Sequence, residues 1–143
     1  MECKNQKECI RKSENWMKNQ DKYCPIGERE FEEFYKRYKK GKAIIEFDQH
    51  FSKRCLERSV TDSNFKESLE FGWVIERNKT VGQISIVILC YVGKYHRPIH
   101  VVFNIVAKNK WIAVTTYTPL SQPWKWSEDM TRICFCSDEM GCE

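Results

Sequence analysis

The sequence predicts an α+β fold in which N-terminal helices pack on a three- to four-stranded antiparallel sheet. This prediction rests on the order in which helical and strand patterns occur along the chain. Helical periodicity of apolar residues dominates before residue 72, and β-branched and aromatic residues dominate after it. The 143 residues are 41% hydrophobic and include only six Gly and four Pro, which are proportions typical of a folded domain rather than of a disordered or repetitive chain.

Residues 1–42 are interpreted as a helical N-terminal extension. A first helix is expected around Glu8–Lys18, and the Cys-Pro-Ile-Gly segment at 24–27 is interpreted as a turn. Between Glu28 and Lys40, aromatic residues recur at helical spacing, which predicts a helix that packs this stripe on a sheet and ends at Gly41. The stripe consists of Phe31, Phe34, Tyr35 and Tyr38.

Two short helices are expected before the strands. The apolar stretch Ala43–Phe47 is too brief to assign to a helix or a strand. Asp48 is a candidate N-cap for a helix through residues 50–59. Thr61 is expected to cap the next helix, with Val60 and Phe65 at the positions of a hydrophobic staple. Gly72 is expected to end that helix.

Four segments rich in β-branched and aromatic residues predict the strands of an antiparallel meander. They span residues 73–77, 83–92, 98–107 and 111–118. No internal repeat or linker separates them from the helices, so we predict a single domain over residues 1–143. Within it, residues 43–126 would form the core and residues 127–143 a tail that contains cysteines.

The charge distribution suits an anionic partner. The chain has a net charge of +4, and its last 17 residues contain one Arg and five acidic residues, so the body is basic and the tail acidic. The longest apolar run, Ile86–Val92, is too short to cross a bilayer, and the N-terminus is too polar for a secretory signal. We therefore expect a soluble cytoplasmic protein without a membrane partner.

The eight cysteines allow two interpretations, free thiols or a metal site. Cys55 and Cys90 lie within apolar patterns and are interpreted as small buried residues. Since CxxC spacing is missing, we favour free thiols and predict no cofactor, with a structural zinc between the two chain ends as the less favoured alternative. The six cysteines near the ends are Cys3, Cys9, Cys24, Cys134, Cys136 and Cys142.

Histidine and arginine residues form the candidate chemical set. The chain contains no P-loop, no HExxH and no GxSxG motif. Cleaving RNA without a metal needs a base for the 2′-hydroxyl proton, an acid for the leaving oxygen, and cations for the phosphate charge. His and Arg suit these roles, although capping, a solvated helix face or sheet packing would also explain them. The candidates are His50, Arg54, Arg58, Arg97, His100 and Tyr117.

Several motifs occur together in one order. They are His50, Glu57-Arg58, Arg-Pro-Ile-His-Val-Val at 97–102, Val-Thr-Thr-Tyr-Thr-Pro at 114–119, and Trp126. Over residues 43–126 the chain therefore resembles the domain-of-unknown-function family 4258, which is thought to be similar to the RelE, MqsR and BrnT toxins of toxin–antitoxin pairs. All the candidates except Arg54 lie within these motifs, and Arg54 is added because it lies between two of them.

The resemblance implies a RelE/barnase-like fold and a metal-independent endoribonuclease that is the toxin of a toxin–antitoxin pair. RNA and a cognate antitoxin-like protein would be its partners. His50 or His100 would then act as general acid or base, the three arginines would bind phosphate, and Tyr117 would orient the scissile group. Two alternatives stay open: a non-catalytic module that binds nucleic acid or protein through a basic face, and a zinc-stabilised structural domain.

Overall fold

A computed structural model describes residues 6–121 and 125–131 and shows an α+β architecture, as predicted. One long helix and two short helices cover one face of a five-stranded sheet. The elements in chain order are α1 (Gln6–Lys39), β1 (Ile44–Phe47), α2 (Phe51–Glu57), α3 (Asp62–Phe71), β2 (Trp73–Thr80), β3 (Gln83–Val92), β4 (Arg97–Ala107), β5 (Lys110–Tyr117) and a short 3-10 helix (Pro119–Ser121).

The sheet has one strand more than predicted. Its order is β1-β5-β4-β3-β2, with the meander β2 to β5 antiparallel, as expected, and β1 added in parallel to β5. The segment that contains β1 was too short to assign from sequence. Its pairing partner lies more than 60 residues further along the chain, so no local pattern reveals it.

The predicted turn at 24–27 is wrong, because α1 runs through Pro25 without a break. Proline inside a helix removes a backbone hydrogen bond and costs about 3 kcal/mol. Side chains of α1 offset this cost by binding the edge strand β2. Glu28 accepts the Val74 N–H at 2.6 Å, and Gln20 accepts the Arg77 N–H at 2.8 Å.

Gly27 lets α1 approach β2 closely. A Cβ atom at Gly27 would lie 3.1 Å from Cγ1 of Val74 and 3.3 Å from Cβ of Arg77. At the same contact, the Arg77 guanidinium forms an ion pair with Glu30 at 2.6 Å. The helix therefore covers a strand edge that would otherwise expose unpaired backbone groups.

The main core lies between the helices and the sheet. The predicted aromatic stripe packs there, with Phe34 stacked on Trp111 of β5 at a centroid distance of 4.3 Å. Gly41 follows the helix with a φ of 73°, a conformation that suits glycine at a helix end. A smaller cluster on the opposite sheet face contains Ile75, Val87 and Leu89.

The residues that cap the two short helices agree only in part with those predicted from the sequence. The N-cap of α2 is His50 rather than the predicted Asp48, although Asp48 accepts the His50 backbone N–H at 3.0 Å. For α3 the prediction is confirmed: Thr61 and Asn64 form a reciprocal capping box, and Gly72 is the C-cap. Among the described residues, no helix is long and apolar enough to cross a membrane.

The capping box gives a first testable prediction. Replacing Thr61 by Ala removes the acceptor of the Asn64 N–H, which lies 3.0 Å away. We expect the free energy of unfolding to fall by about 1 kcal/mol. Urea unfolding followed by circular dichroism measures this change, and Thr80→Ala at the exposed end of β2 is the control. A loss no larger than that of the control would mean that the cap does not stabilise α3.

Candidate functional site

A row of basic residues lies along α2. His50, Arg54 and Arg58 follow one another at intervals of four residues, so they share one side of the helix. The core side of the same helix carries Phe51, which is buried, and the half-buried Cys55. As a result, His50 and Arg54 are exposed and Arg58 is half-buried. Three of the six predicted residues therefore form one surface.

Glu57 lies among the cations of this row. Its Oε2 atom is 3.5 Å from Nη1 of Arg54 and 3.4 Å from Nη1 of Arg58, and its Oε1 atom is 4.0 Å from Nζ of Lys53. Glu57 was not among the predicted site residues; in the sequence it is part of the Glu57-Arg58 motif and lies beside the two arginines of a helix face that could be solvated. The spacing of three residues between Arg54 and Glu57 is the sequence signal that places this carboxylate beside one cation. Its contact with the adjacent Arg58 depends on the geometry at the end of α2.

Arg97 contacts the end of α2 from the start of β4. Its Nη1 donates to the Arg58 carbonyl at 2.8 Å, and its Nη2 donates to the Ser59 carbonyl at 2.5 Å. Ser59 has a φ of 53°, which is uncommon for a residue other than glycine. A cation at a helix C-terminus is also favourable for the helix dipole. Arg97 thus holds the turn that follows Arg58.

His100 and Tyr117 lie on the opposite side of the sheet. His100 is the cross-strand neighbour of Leu89 on β3 and of Tyr117 on β5. Directly opposed residues share a face, and Leu89 belongs to the cluster away from the helices. Arg97 pairs instead with Val92, which packs in the main core on the helix side. The sheet therefore separates His100 and Tyr117 from the basic row.

The His100 ring is enclosed by aromatic side chains. It has no exposed surface, and it meets Tyr117 and Trp126 edge to face at centroid distances of 5.2 and 4.6 Å. Neither ring nitrogen forms a hydrogen bond of normal geometry with the described residues. Burial lowers the pKa of His100 to about 4, and the nearby backbone of Met130 opposes this shift to a smaller extent. The ring is therefore neutral near pH 7.

His50, unlike His100, is exposed to solvent. It begins α2 at the surface, and its Nε2 atom lies 3.2 Å from Nε2 of the Gln49 side chain. Of the two histidines predicted to transfer protons, His50 is the one that is exposed to solvent in this structure.

Metal ligands do not cluster in the described parts of the chain. No group of three or more His, Cys, Asp or Glu residues is arranged to hold an ion within residues 6–121 and 125–131. Within these ranges, Cys24, Cys55 and Cys90 are free thiols. The thiol pKa of Cys24 and that of Cys90 are each raised to about 11, mainly by burial. The four cysteines of the zinc alternative that lie outside the described residues are Cys3, Cys134, Cys136 and Cys142.

The sequence of this region matches one protein family. Residues 47–118, half of the chain, match the family described as a domain of unknown function, DUF4258. The chain belongs to this family. No curated protein and no solved structure is significantly similar to the chain. The likeness to RelE and related toxins therefore stays an expectation.

The DUF4258 match contains all six predicted site residues. It begins at the last residue of β1, includes α2, α3 and the meander β2 to β5, and ends just after Tyr117. Both the basic row of α2 and the pair of buried His100 and half-buried Tyr117 therefore belong to the family region. The helix α1 and the segment 125–131 lie outside it.

Proposed function

We propose that the exposed side of α2 binds RNA and cleaves it without a metal ion. The observation that carries this proposal is the position of Glu57. Its carboxylate lies between the guanidinium groups of Arg54 and Arg58, on the same helix side as the exposed imidazole of His50. One short helix therefore presents a base, an acid and two phosphate-binding cations.

The reaction follows from these groups. Glu57 takes the proton of the ribose 2′-hydroxyl, and the 2′-oxygen forms a bond to the adjacent phosphorus. The bond from phosphorus to the 5′-oxygen breaks, and protonated His50 gives its proton to that oxygen. The products are a 2′,3′-cyclic phosphate and a 5′-hydroxyl end. Arg54 and Arg58 stabilise the negative charge of the transition state.

The other predicted residues have supporting places in this proposal. Arg97 holds the backbone at the end of α2 and thereby positions Arg58. His100 and Tyr117 lie across the sheet from the cleavage site, so a direct part for them in the reaction stays a prediction that requires His100 to become accessible.

An acidic partner protein fits the same surface. Residues 50–59 contain Lys53, Arg54 and Arg58 against a single carboxylate, so an acidic segment that covers the helix would pair with these cations. Such a partner would exclude RNA. The chain would then be the toxin of a toxin–antitoxin pair, in line with the resemblance of its sequence.

A binding module without catalysis is the second candidate function. The specific observation in its favour is the separation of the two histidines that the sequence placed in one site, because only His50 is exposed at the basic row. This function predicts salt-sensitive RNA binding without product.

Incubation with RNA tests the proposal. Purified protein and a mixed-sequence single-stranded RNA are combined with EDTA, and products are read on a gel. We expect discrete fragments that end in a cyclic phosphate. Intact RNA together with salt-sensitive binding would support the binding module instead, and intact RNA without binding would contradict both functions.

The phosphate contacts have their own prediction. In the double variant Arg54→Ala/Arg58→Ala, RNA binding becomes weaker, and the slope of log K against log salt becomes less steep by about 1.4, since each phosphate contact on a single strand contributes about 0.7. Titrations at several salt concentrations measure the slope. The matched control is Arg29→Ala/Lys36→Ala, which removes two exposed cations from α1. Equal slopes in the two double variants would place the RNA elsewhere.

A further inference from the structure

Residues 125–131, here called the strap, cross the sheet face opposite the helices. Trp126 of the strap lies against His100 and, at a centroid distance of 6.0 Å, stacks on Tyr117. Met130 packs on the small apolar cluster of that face, next to Leu89. The Trp126 ring and the backbone of Met130 therefore lie against the His100 imidazole on this face of the sheet.

The strap is held together by its own hydrogen bonds. The Ser127 N–H donates to the Thr131 carbonyl at 2.9 Å, and the Met130 N–H donates to the Ser127 carbonyl at 3.0 Å. The Thr131 hydroxyl donates to Asp129 Oδ1 at 2.7 Å, and the Ser127 hydroxyl contacts the same oxygen. These bonds lower the pKa of Asp129. A unit with such internal bonding can leave the sheet without losing its shape.

The group beneath the strap is unusual for a closed core. His100 is fully buried, yet neither ring nitrogen has a hydrogen bond of normal geometry to the described residues. A buried polar group without such a partner destabilises the closed state, and it regains hydrogen bonds with water when the cover lifts.

The family match ends before the strap begins, which agrees with a role for the strap separate from that of the DUF4258 region. His100 and Tyr117 belong to the DUF4258 region, which ends at residue 118, whereas the strap lies beyond it. We propose that the strap is a lid over the face that carries His100 and Tyr117, and that it lifts as a unit to expose them. This lid does not depend on RNA being the substrate.

Chemical modification of the histidines tests the lid. Diethylpyrocarbonate reacts with accessible neutral imidazoles, and mass spectrometry of peptides gives the rate at each histidine separately. At pH 7.5 in the wild-type protein, we expect His50 and His96, both exposed, to react at least about tenfold faster than His100. A wild-type His100 that reacts as fast as His50 would contradict the closed lid.

Two variants weaken the lid in different ways. Trp126→Ala removes the ring that covers His100, and Asp129→Ala removes an exposed acceptor of the strap without touching the sheet. In both we expect the rate at His100 to rise about tenfold or more. The rates at His50 and His96 should stay unchanged, and a far- and near-UV circular dichroism spectrum like that of the wild type shows that the variants are folded.

The control is Leu120→Ala, an exposed residue between the family region and the strap. It should leave all three rates as they are in the wild type. If His100 stays equally protected in the Trp126 and Asp129 variants while both are folded, the strap is not the lid. An equal increase at His100 in the Leu120 control would contradict the proposal as well.

Discussion

Lowering the pH from 7 to 4 will destabilise the folded protein by roughly 3 kcal/mol through His100 alone. The pKa of this group falls from 6.5 to about 4 on folding because burial disfavours the charged ring. The unfolded chain then binds more protons than the folded one between these two values. The stability that the neutral ring retains near pH 7 is therefore lost as the pH falls from about 6.5 towards 4.

The groups around His100 do not compensate for this loss. Leu89, Trp126 and Met130 carry no charge, and Tyr117 is neutral at acid pH. Glu76 is the neighbour of Val87 on the same face, one row further along the sheet. The strap adds Glu128 and Asp129, both exposed to water. Carboxylates titrate in the same range, so the contribution of His100 has to be isolated by comparison.

Urea unfolding at several pH values isolates it. His100→Leu replaces the ring by an apolar side chain of similar size, which is tolerable because the ring nitrogens lack normal hydrogen bonds to the described residues. We expect the difference in unfolding free energy between wild type and variant to shift by roughly 3 kcal/mol from pH 7 to pH 4. His96→Leu at an exposed turn is the control. A difference that does not change with pH would show that the ring is not held neutral.

The strands and caps could be predicted because their signals are local. The β-branched segments identified β2 to β5, and Thr61 with the residues around it identified the start of α3. The continuity of α1 could not be predicted in this way. It depends on contacts of Gln20 and Glu28 with the backbone of β2, about 50 residues away in the chain.

The candidate site was predicted as one cluster, and the structure divides it. The sequence contained the reason: side chains alternate along a strand, so Arg97 and His100, three residues apart on β4, point to opposite faces. The burial of His100 could not be predicted, because the residues that cover it come from a segment after the sheet. Glu57 was in the motif, yet its position between two arginines requires the helix geometry.

Substitutions of the two proposed proton-transfer groups, His50 and Glu57, are expected to have the largest effects on RNA cleavage. In the proposed reaction, His50→Ala removes the acid that protonates the leaving oxygen, and Glu57→Gln removes the base while keeping the shape of the side chain. General acid–base catalysis contributes about 10²- to 10⁴-fold, so we expect each variant to lower the rate of RNA cleavage by a factor in this range. RNA affinity should change little in His50→Ala, because Arg54 and Arg58, the two arginines proposed to bind phosphate, are still present.

Single-turnover cleavage with saturating protein separates chemistry from binding. The matched controls are His96→Ala and Glu33→Gln, which alter an exposed histidine and an exposed glutamate away from α2. Both should cleave RNA like the wild type. About seven residues of helix separate His50 from Glu57, roughly 10 Å along the axis, so the bound RNA must lie along α2 for both to reach one scissile bond. Full activity in both His50→Ala and Glu57→Gln would remove this helix as the reaction site. A loss in Glu57→Gln alone would keep Glu57 as the base and replace His50 by a water molecule as the proton donor.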